Sequence, residues 1–143
     1  MLRFLYPHYR FDAITRIRRR WLKQQEIYTV LLDLDRTLLS LGSKKVMPDF
    51  TAWLTRKQQQ GFRFCLLSNG RTRLERLAEE LDIPCFTPFS KILPSACRKA
   101  MRELYCDPQY TAVISDRTLG GIVAANLAGI RSIHVKPLRP AVS

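Results

Sequence analysis

The run Tyr28-Thr29-Val30-Leu31-Leu32-Asp33 is apolar and β-branched without alternation, and it leads directly into Leu34-Asp35-Arg36-Thr37. A short run with no polar face marks a strand buried on both sides, as in parallel sheets covered by helices. Two further runs share that character: Phe62 to Ser68 (FRFCLLS), followed by Asn69-Gly70, and Thr111 to Ser115 (TAVIS), followed by Asp116-Arg117. Briefer strands are predicted at Ile83 to Phe86 and Ile133 to Val135.

The intervening segments switch to a helical period. Pro48 opens a helix with Phe50, Trp53 and Leu54 at i, i+3 and i+4, and Gly61 closes it. Thr72 and Glu75 have capping-box spacing at the start of a helix faced by Leu74, Leu77 and Leu81. Pro94 starts another with Cys97, Ala100, Met101 and Leu104 on one side, and a short one spans Gly121 to Leu127, stopped by Gly129. Strand alternating with helix argues for an α/β fold, a parallel sheet with helices on both faces. The 143 residues contain no repeat and no long linker. They read as one such domain over 28–143, preceded by a basic segment, 1–27, that packs on or flanks it.

The chain carries 24 Lys+Arg against 12 Asp+Glu, a formal charge of +12, yet 46% of its residues are hydrophobic. That composition excludes a disordered polyelectrolyte. The longest apolar runs fall far short of the roughly 20 residues needed to span a bilayer. No apolar stretch follows the basic start as in a signal peptide. Cys65, Cys85, Cys97 and Cys106 form no CxxC pair and lie apart from His8 and His134. This argues against zinc and for reduced thiols in the cytoplasm. His134, in the last strand, reads as a partly buried structural histidine.

The excess charge is uneven. Arg3, Arg10, Arg16, Arg18, Arg19, Arg20 and Lys23 crowd the first 23 residues, with Asp12 alone opposing them. Read as one helix from Asp12 to Gln24, this segment gathers Ala13, Ile14, Ile17 and Trp21 on one arc and arginines elsewhere. Either the stripe packs on the domain, or the helix lies on an anionic membrane or phosphate backbone through Arg16, Arg18, Arg19 and Arg20.

In open parallel sheets, ligands bind beyond the carboxyl ends of the strands. The predicted strand ends place Asp33, Asp35, Ser68 and Asp116 there. Asp33 and Asp35, two apart on extended chain, point the same way. Like charges so close favour a cation between them, and oxygen ligands suit Mg²⁺. One carboxylate can then attack phosphorus while the other moves the proton. Asp116 would add a third metal oxygen. Ser68 and Asn69, preceding a helix, make an anion site. Lys91 could neutralise phosphate as a mobile point charge.

These residues resemble the haloacid dehalogenase (HAD) phosphatase superfamily: Asp33-Leu34-Asp35-Arg36-Thr37 matches its DxDxT motif, Ser68 the second motif, Lys91 the third and Asp116 the fourth. DxDxT alone would arise by chance in about one chain of this length in fifty, so the ordered set carries the weight. The chain is further similar, over nearly its whole length, to the subclass IIIA, YqeG-like family related to phosphatidylglycerophosphate phosphatases. The shared segments are Leu5-Tyr6-Pro7-His8-Tyr9, Asp12-Ala13-Ile14, Asp33 to Leu38, the Ser68-Asn69 pair and Leu81 to Pro84. The resemblance implies a HAD-like Rossmannoid domain with Asp33 as nucleophile and Asp35 as acid/base. It also implies Mg²⁺ held by Asp33, the Asp35 carbonyl and Asp116, with Thr37, Ser68, Asn69 and Lys91 on the phosphoryl group. The chain departs from the family pattern in three places. Arg36 stands where Asn is usual, Gly121 replaces the second acid of the fourth motif, and Arg98 and Lys99 lie within reach of the lysine role.

The connections from Asp35 to Ser68 and from Ser68 to Asp116 hold no inserted cap domain. An open site suits a phosphate on a large carrier, and the resemblance implies a lipid headgroup such as phosphatidylglycerophosphate at a membrane surface. The rival expectation is a weakly active or inactive module on the same scaffold that binds RNA, ribosome or anionic membrane, suggested by Gly121, Arg36 and the +12 charge. Without interleaved aromatics, nucleic acid ranks below lipid.

Overall fold

A computed structural model describes residues 3–34, 48–68, 72–87, 94–117 and 120–138. Among them are six strands: β1 (Tyr9–Phe11), β2 (Thr29–Asp33), β3 (Arg63–Leu67), β4 (Cys85–Phe86), β5 (Thr111–Ser115) and β6 (Arg131–Val135). The helices are α1 (Arg19–Gln24), α2 (Pro48–Gln59), α3 (Thr72–Glu80), α4 (Pro94–Glu103) and α5 (Gly121–Leu127). Every strand pairing is parallel, in the order β1-β6-β5-β2-β3-β4. The α/β fold and its three long buried strands are as the apolar runs predicted. The strand expected at Ile83 is shorter, and the last one begins two residues earlier, at Arg131. The Thr72 cap lies outside the described side chains.

The absence of alternation in β2 has its cause in two cores. Val30 and Leu32 belong to one, with Leu22 of α1, Phe50, Trp53 and Leu54 of α2, and Leu74, Leu77 and Ala78 of α3. Leu31 belongs to the other, with Cys97, Ala100 and Met101 of α4 and Ala124 and Ala125 of α5. Successive strand residues face opposite sides, so a strand covered on both must be apolar throughout. Each large side chain buried this way contributes about 1.5–3 kcal/mol. The crossovers β2–α2–β3 and β3–α3–β4 advance over one face. The crossovers β4–α4–β5 and β5–α5–β6 return over the other, as right-handed connections require.

The amino-terminal segment departs from the single helix expected over Asp12 to Gln24. It forms a 3₁₀ turn, Ile14–Arg16, and then α1, separated by extended backbone at Ile17 (φ −79°, ψ 114°) and Arg18 (φ −98°, ψ 152°). The Trp53 indole N–H donates to the Ile17 carbonyl at 2.9 Å, occupying an acceptor that a continuous helix would use. The break lets Ile14, Ile17 and Leu22 all enter the core, none more than 1% exposed. Trp21 packs edge-on against Tyr9 and Phe11, with ring centroids 4.9 Å apart in both cases. The apolar stripe thus packs on the domain, while Arg16, Arg18, Arg19 and Arg20 are exposed.

β1 carries no strand signal in the sequence. Its three residues alternate half-buried and exposed at the sheet edge, and it exists by pairing with β6. His8 fastens this edge: its backbone N–H donates to the Ser132 carbonyl at 2.9 Å, and the Ser132 N–H donates to His8 Nδ1 at 3.1 Å. The Asn126 amide donates to the carbonyls of Phe4 and Tyr6 at 2.9 and 2.7 Å. The four cysteines are free, and burial pushes the Cys65 and Cys97 thiols up to about 12. No described helix is long and apolar enough to cross a membrane.

Candidate active site

β2 and β5 are adjacent at the middle of the sheet. From β2 the chain moves outward to β3 and β4, and then returns to β5 on the other side. Their carboxyl ends therefore form the topological switch point, where open α/β sheets bind ligands. Asp33, the last residue of β2, is in register with Ser115, the last residue of β5, and Asp116 follows at once. Asp33 and Ser115 are fully buried and Asp116 is 1% exposed.

Hydrogen bonds hold this junction together. The Ser115 hydroxyl donates to Asp33 Oδ2 at 3.0 Å, and Ser115 Oγ accepts from the Arg117 backbone N–H at 3.2 Å. The Asp116 N–H donates to the Asp33 carbonyl at 3.2 Å, extending the β2–β5 ladder one step beyond the strands. A hydroxyl donor stabilises a buried carboxylate and fixes its orientation. Beneath it, Cys97 of α4 feels the Asp33 charge. That charge, after burial, is the second reason its thiol titrates so high.

Gly121, the first residue of α5, closes the other side. A Cβ there would lie 2.3 Å from Asp33 Oδ2, 3.1 Å from Asp33 Cγ and 3.2 Å from Ser115 Oγ. The preceding Gly120 has φ +80°, a left-handed conformation that favours glycine. The Gly-Gly pair thus lets the chain turn into α5 with its backbone against the Asp33 carboxylate. The position where the family pattern carries a second acid has no space for a side chain while Asp33 keeps this orientation.

Of the site residues expected from the sequence, the structure brings Asp33 and Asp116 together and adds Ser115 between them. Ser68 is fully buried just past β3, beside β2, and its N–H donates to the Phe86 carbonyl at 3.0 Å. Asp35, Arg36, Thr37, Asn69 and Lys91 lie outside the described residues. Sequence reasoning missed Ser115 as the partner of Asp33. The available signal was a hydroxyl ending an otherwise apolar strand. Asp33 and Asp116 offer carboxylate oxygens from adjacent strand ends, a donor set that fits a hard, oxygen-preferring divalent cation. Among the described residues no group of three His, Cys, Asp or Glu gathers to complete a metal shell.

Buried acids at the switch point of a doubly wound parallel sheet mark a ligand site, and the family match gives its class. The haloacid dehalogenase-like hydrolase family matches residues 5–129, and the chain belongs to that family. Proteins named as phosphatases are among those it is similar to. The chain is 26% identical over 137 residues to the "Probable phosphatase YqeG" of Bacillus subtilis (strain 168), covering 95% of this chain and 80% of that protein. Among solved structures it is similar to an uncharacterized protein from Listeria monocytogenes serotype 4b (TM-score 0.60, 18% identity, 82% of this chain and 87% of that one). It is also similar to the cobalt-bound deoxy-D-mannose-octulosonate 8-phosphate phosphatase of Haemophilus influenzae (TM-score 0.58, 17% identity, 79% and 70%). The corresponding phosphatase of Moraxella catarrhalis, solved with magnesium, phosphate and KDO, matches at TM-score 0.54 and 17% identity over 69% of this chain and 64% of that one. At these identities the solved structures speak to the fold.

Proposed function

We propose that the protein hydrolyses phosphomonoesters through an aspartyl-phosphate on Asp33. The carrying observation is the Asp33 carboxylate itself: fully buried at the switch point, oriented by the Ser115 hydroxyl and neighboured by Asp116. In the first half-reaction an Asp33 carboxylate oxygen attacks phosphorus and the P–O bond to the alcohol breaks. Asp35 gives its proton to that leaving oxygen. In the second half, Asp35 takes a proton from water as the water attacks the acyl phosphate, releasing phosphate and restoring Asp33. Thr37, Ser68, Asn69 and Lys91 hold the transferring phosphoryl group. Mg²⁺ held by Asp33, the Asp35 carbonyl and Asp116 would supply charge neutralisation at the phosphoryl oxygens.

The substrate we infer is a phosphate displayed on a large carrier, a lipid headgroup such as phosphatidylglycerophosphate, met by a cytoplasmic enzyme at the membrane surface. The resemblance to the lipid phosphatases supports it, as do connections from Asp35 to Ser68 and from Ser68 to Asp116 that hold no inserted cap domain. Arg16, Arg18, Arg19 and Arg20 would steer the enzyme to that anionic surface by charge alone, since Ile14, Ile17 and Leu22 are already in the core. The test is phosphate release from an aryl phosphate and from phosphatidylglycerophosphate in vesicles, with Mg²⁺ and with EDTA. Hydrolysis that EDTA abolishes and Asp33→Asn eliminates is expected. Full activity in either condition overturns the mechanism.

A further inference from the structure

We infer that the groove between α1 and the second half of α2 is a second anion site, one that takes a small ligand carrying two or more linked phosphate groups. The groove is open to solvent, offers about 900 Å³ and is lined by Arg18, Arg19, Arg20, Lys23, Arg56 and Lys57, with no acidic side chain among the described residues of its lining. Two segments more than thirty residues apart in sequence supply cations to the same hollow. Packing so many like charges together is unfavourable until a counter-charge enters.

Lys57 is the least exposed cation of this lining. It is 5% exposed, and its ammonium stands over the Trp53 ring at 5.8 Å from the centroid. Among the described residues, the charged groups that act on it are Arg56 and Arg19, both cations. After desolvation, they hold its ammonium below the usual lysine range. An aromatic face is a weak counterpart for an ammonium, and a bound anion supplies the stronger one. Arginine forks match phosphate oxygens in bidentate pairs, which favours phosphate over a monovalent ion. Cations on both walls favour several linked phosphates over one.

The geometry also selects a small ligand over a macromolecule. The cations line a concave hollow between α1 and α2, a shape that a flat bilayer does not enter. Trp53 is itself only 5% exposed, anchored through its N–H to the Ile17 carbonyl, and offers no ring for base stacking. The volume lies within the range of sites for small organic ligands. This site is independent of the Asp33 chemistry. Because α2 connects two parallel strands, its Lys57 end lies toward their amino ends, whereas Asp33 ends β2 at the opposite edge, roughly 13 Å of strand away.

Titration calorimetry of the full chain with sodium tripolyphosphate, in low salt and EDTA, tests the proposal. Saturable binding is expected, at least tenfold tighter than for orthophosphate. It should weaken at least tenfold in Arg56→Gln and Lys23→Gln, both exposed positions, and in Lys57→Met, which keeps an apolar stem in place of the ammonium. Hydrolysis of an aryl phosphate with Mg²⁺ should be unchanged in all three variants. No saturable binding, or unaltered affinity in the variants, overturns the site. So would a single-stranded RNA or phosphatidylglycerol vesicles binding tighter than tripolyphosphate and losing affinity through the same substitutions.

Discussion

Gly121 and Asp33 are in such close approach that the smallest side chain at 121 would put a carbon 2.3 Å from Asp33 Oδ2. The residue that interrupts the family's fourth motif is therefore a steric condition for the position of the carboxylate. Gly121→Ala should lower stability by about 1–3 kcal/mol, the usual penalty of overpacking a filled interior. It should also reduce aryl phosphate hydrolysis by more than tenfold. Urea unfolding and steady-state rates measure the two effects. Gly121→Asp, which restores the family acid, is expected to be inactive for the same reason, and full activity in it would refute the steric argument.

Ser115 donates to a fully buried carboxylate. Ser115→Ala removes that donor without adding volume, and a buried charged acceptor that loses a hydrogen bond costs about 1–3 kcal/mol. We expect a comparable loss in chemical denaturation and a fall in kcat of about tenfold or more, with KM little changed, because the hydroxyl orients Asp33 and does not bind substrate.

Asp116 follows β5 and lies 1% exposed beside the Asp33 backbone. If it supplies a metal oxygen, Asp116→Asn should raise the Mg²⁺ concentration for half-maximal activity by tenfold or more while leaving some activity at saturating metal. Activity titrated with Mg²⁺ after EDTA treatment and dialysis distinguishes this from a turn residue, whose loss would leave the metal dependence unchanged.

The His8 imidazole is held below its ordinary value by burial and then by the Arg131 guanidinium, and its Nδ1 accepts from the Ser132 N–H. As pH falls through the ordinary value of about 6.5, the unfolded chain takes up this proton before the folded one does. The stability His8 confers is therefore complete above about pH 6.5 and declines below it, until the folded imidazole also protonates. Melting temperature followed from pH 8 downward should fall more steeply in the wild type than in His8→Gln.

Ile17 is fully buried where the amino-terminal segment breaks between its 3₁₀ turn and α1. Ile17→Ala should cost about 2–5 kcal/mol. A membrane-seeking helix would instead tolerate this change in solution and show it only in vesicle binding, so denaturation with and without vesicles separates the two.

Much of the fold was legible because the signals were local. Val30 to Leu32, Phe64 to Leu67 and Ala112 to Ile114 are uninterrupted because each strand is covered on both faces, and the polar residues that end them mark the crevice edge. Pro48, Pro94 and Gly129 punctuate the helices where their backbone chemistry requires. The same locality made Asp33 and Asp116 visible as candidates. Tyr9-Arg10-Phe11 carried no such signal, since three half-exposed residues become a strand only when β6, more than a hundred positions later, offers its edge.

Residue order alone determined the parallel α/β architecture, the two cores and the acidic strand ends, because period and apolarity act within a few residues of chain. Folding decided what depends on distant segments meeting. The Trp53 indole claimed the Ile17 carbonyl and broke the expected helix, Gly121 came to rest against Asp33, and Arg18 to Lys23 met Arg56 and Lys57 around one hollow. Contacts of that kind follow from three-dimensional packing, which no local pattern encodes.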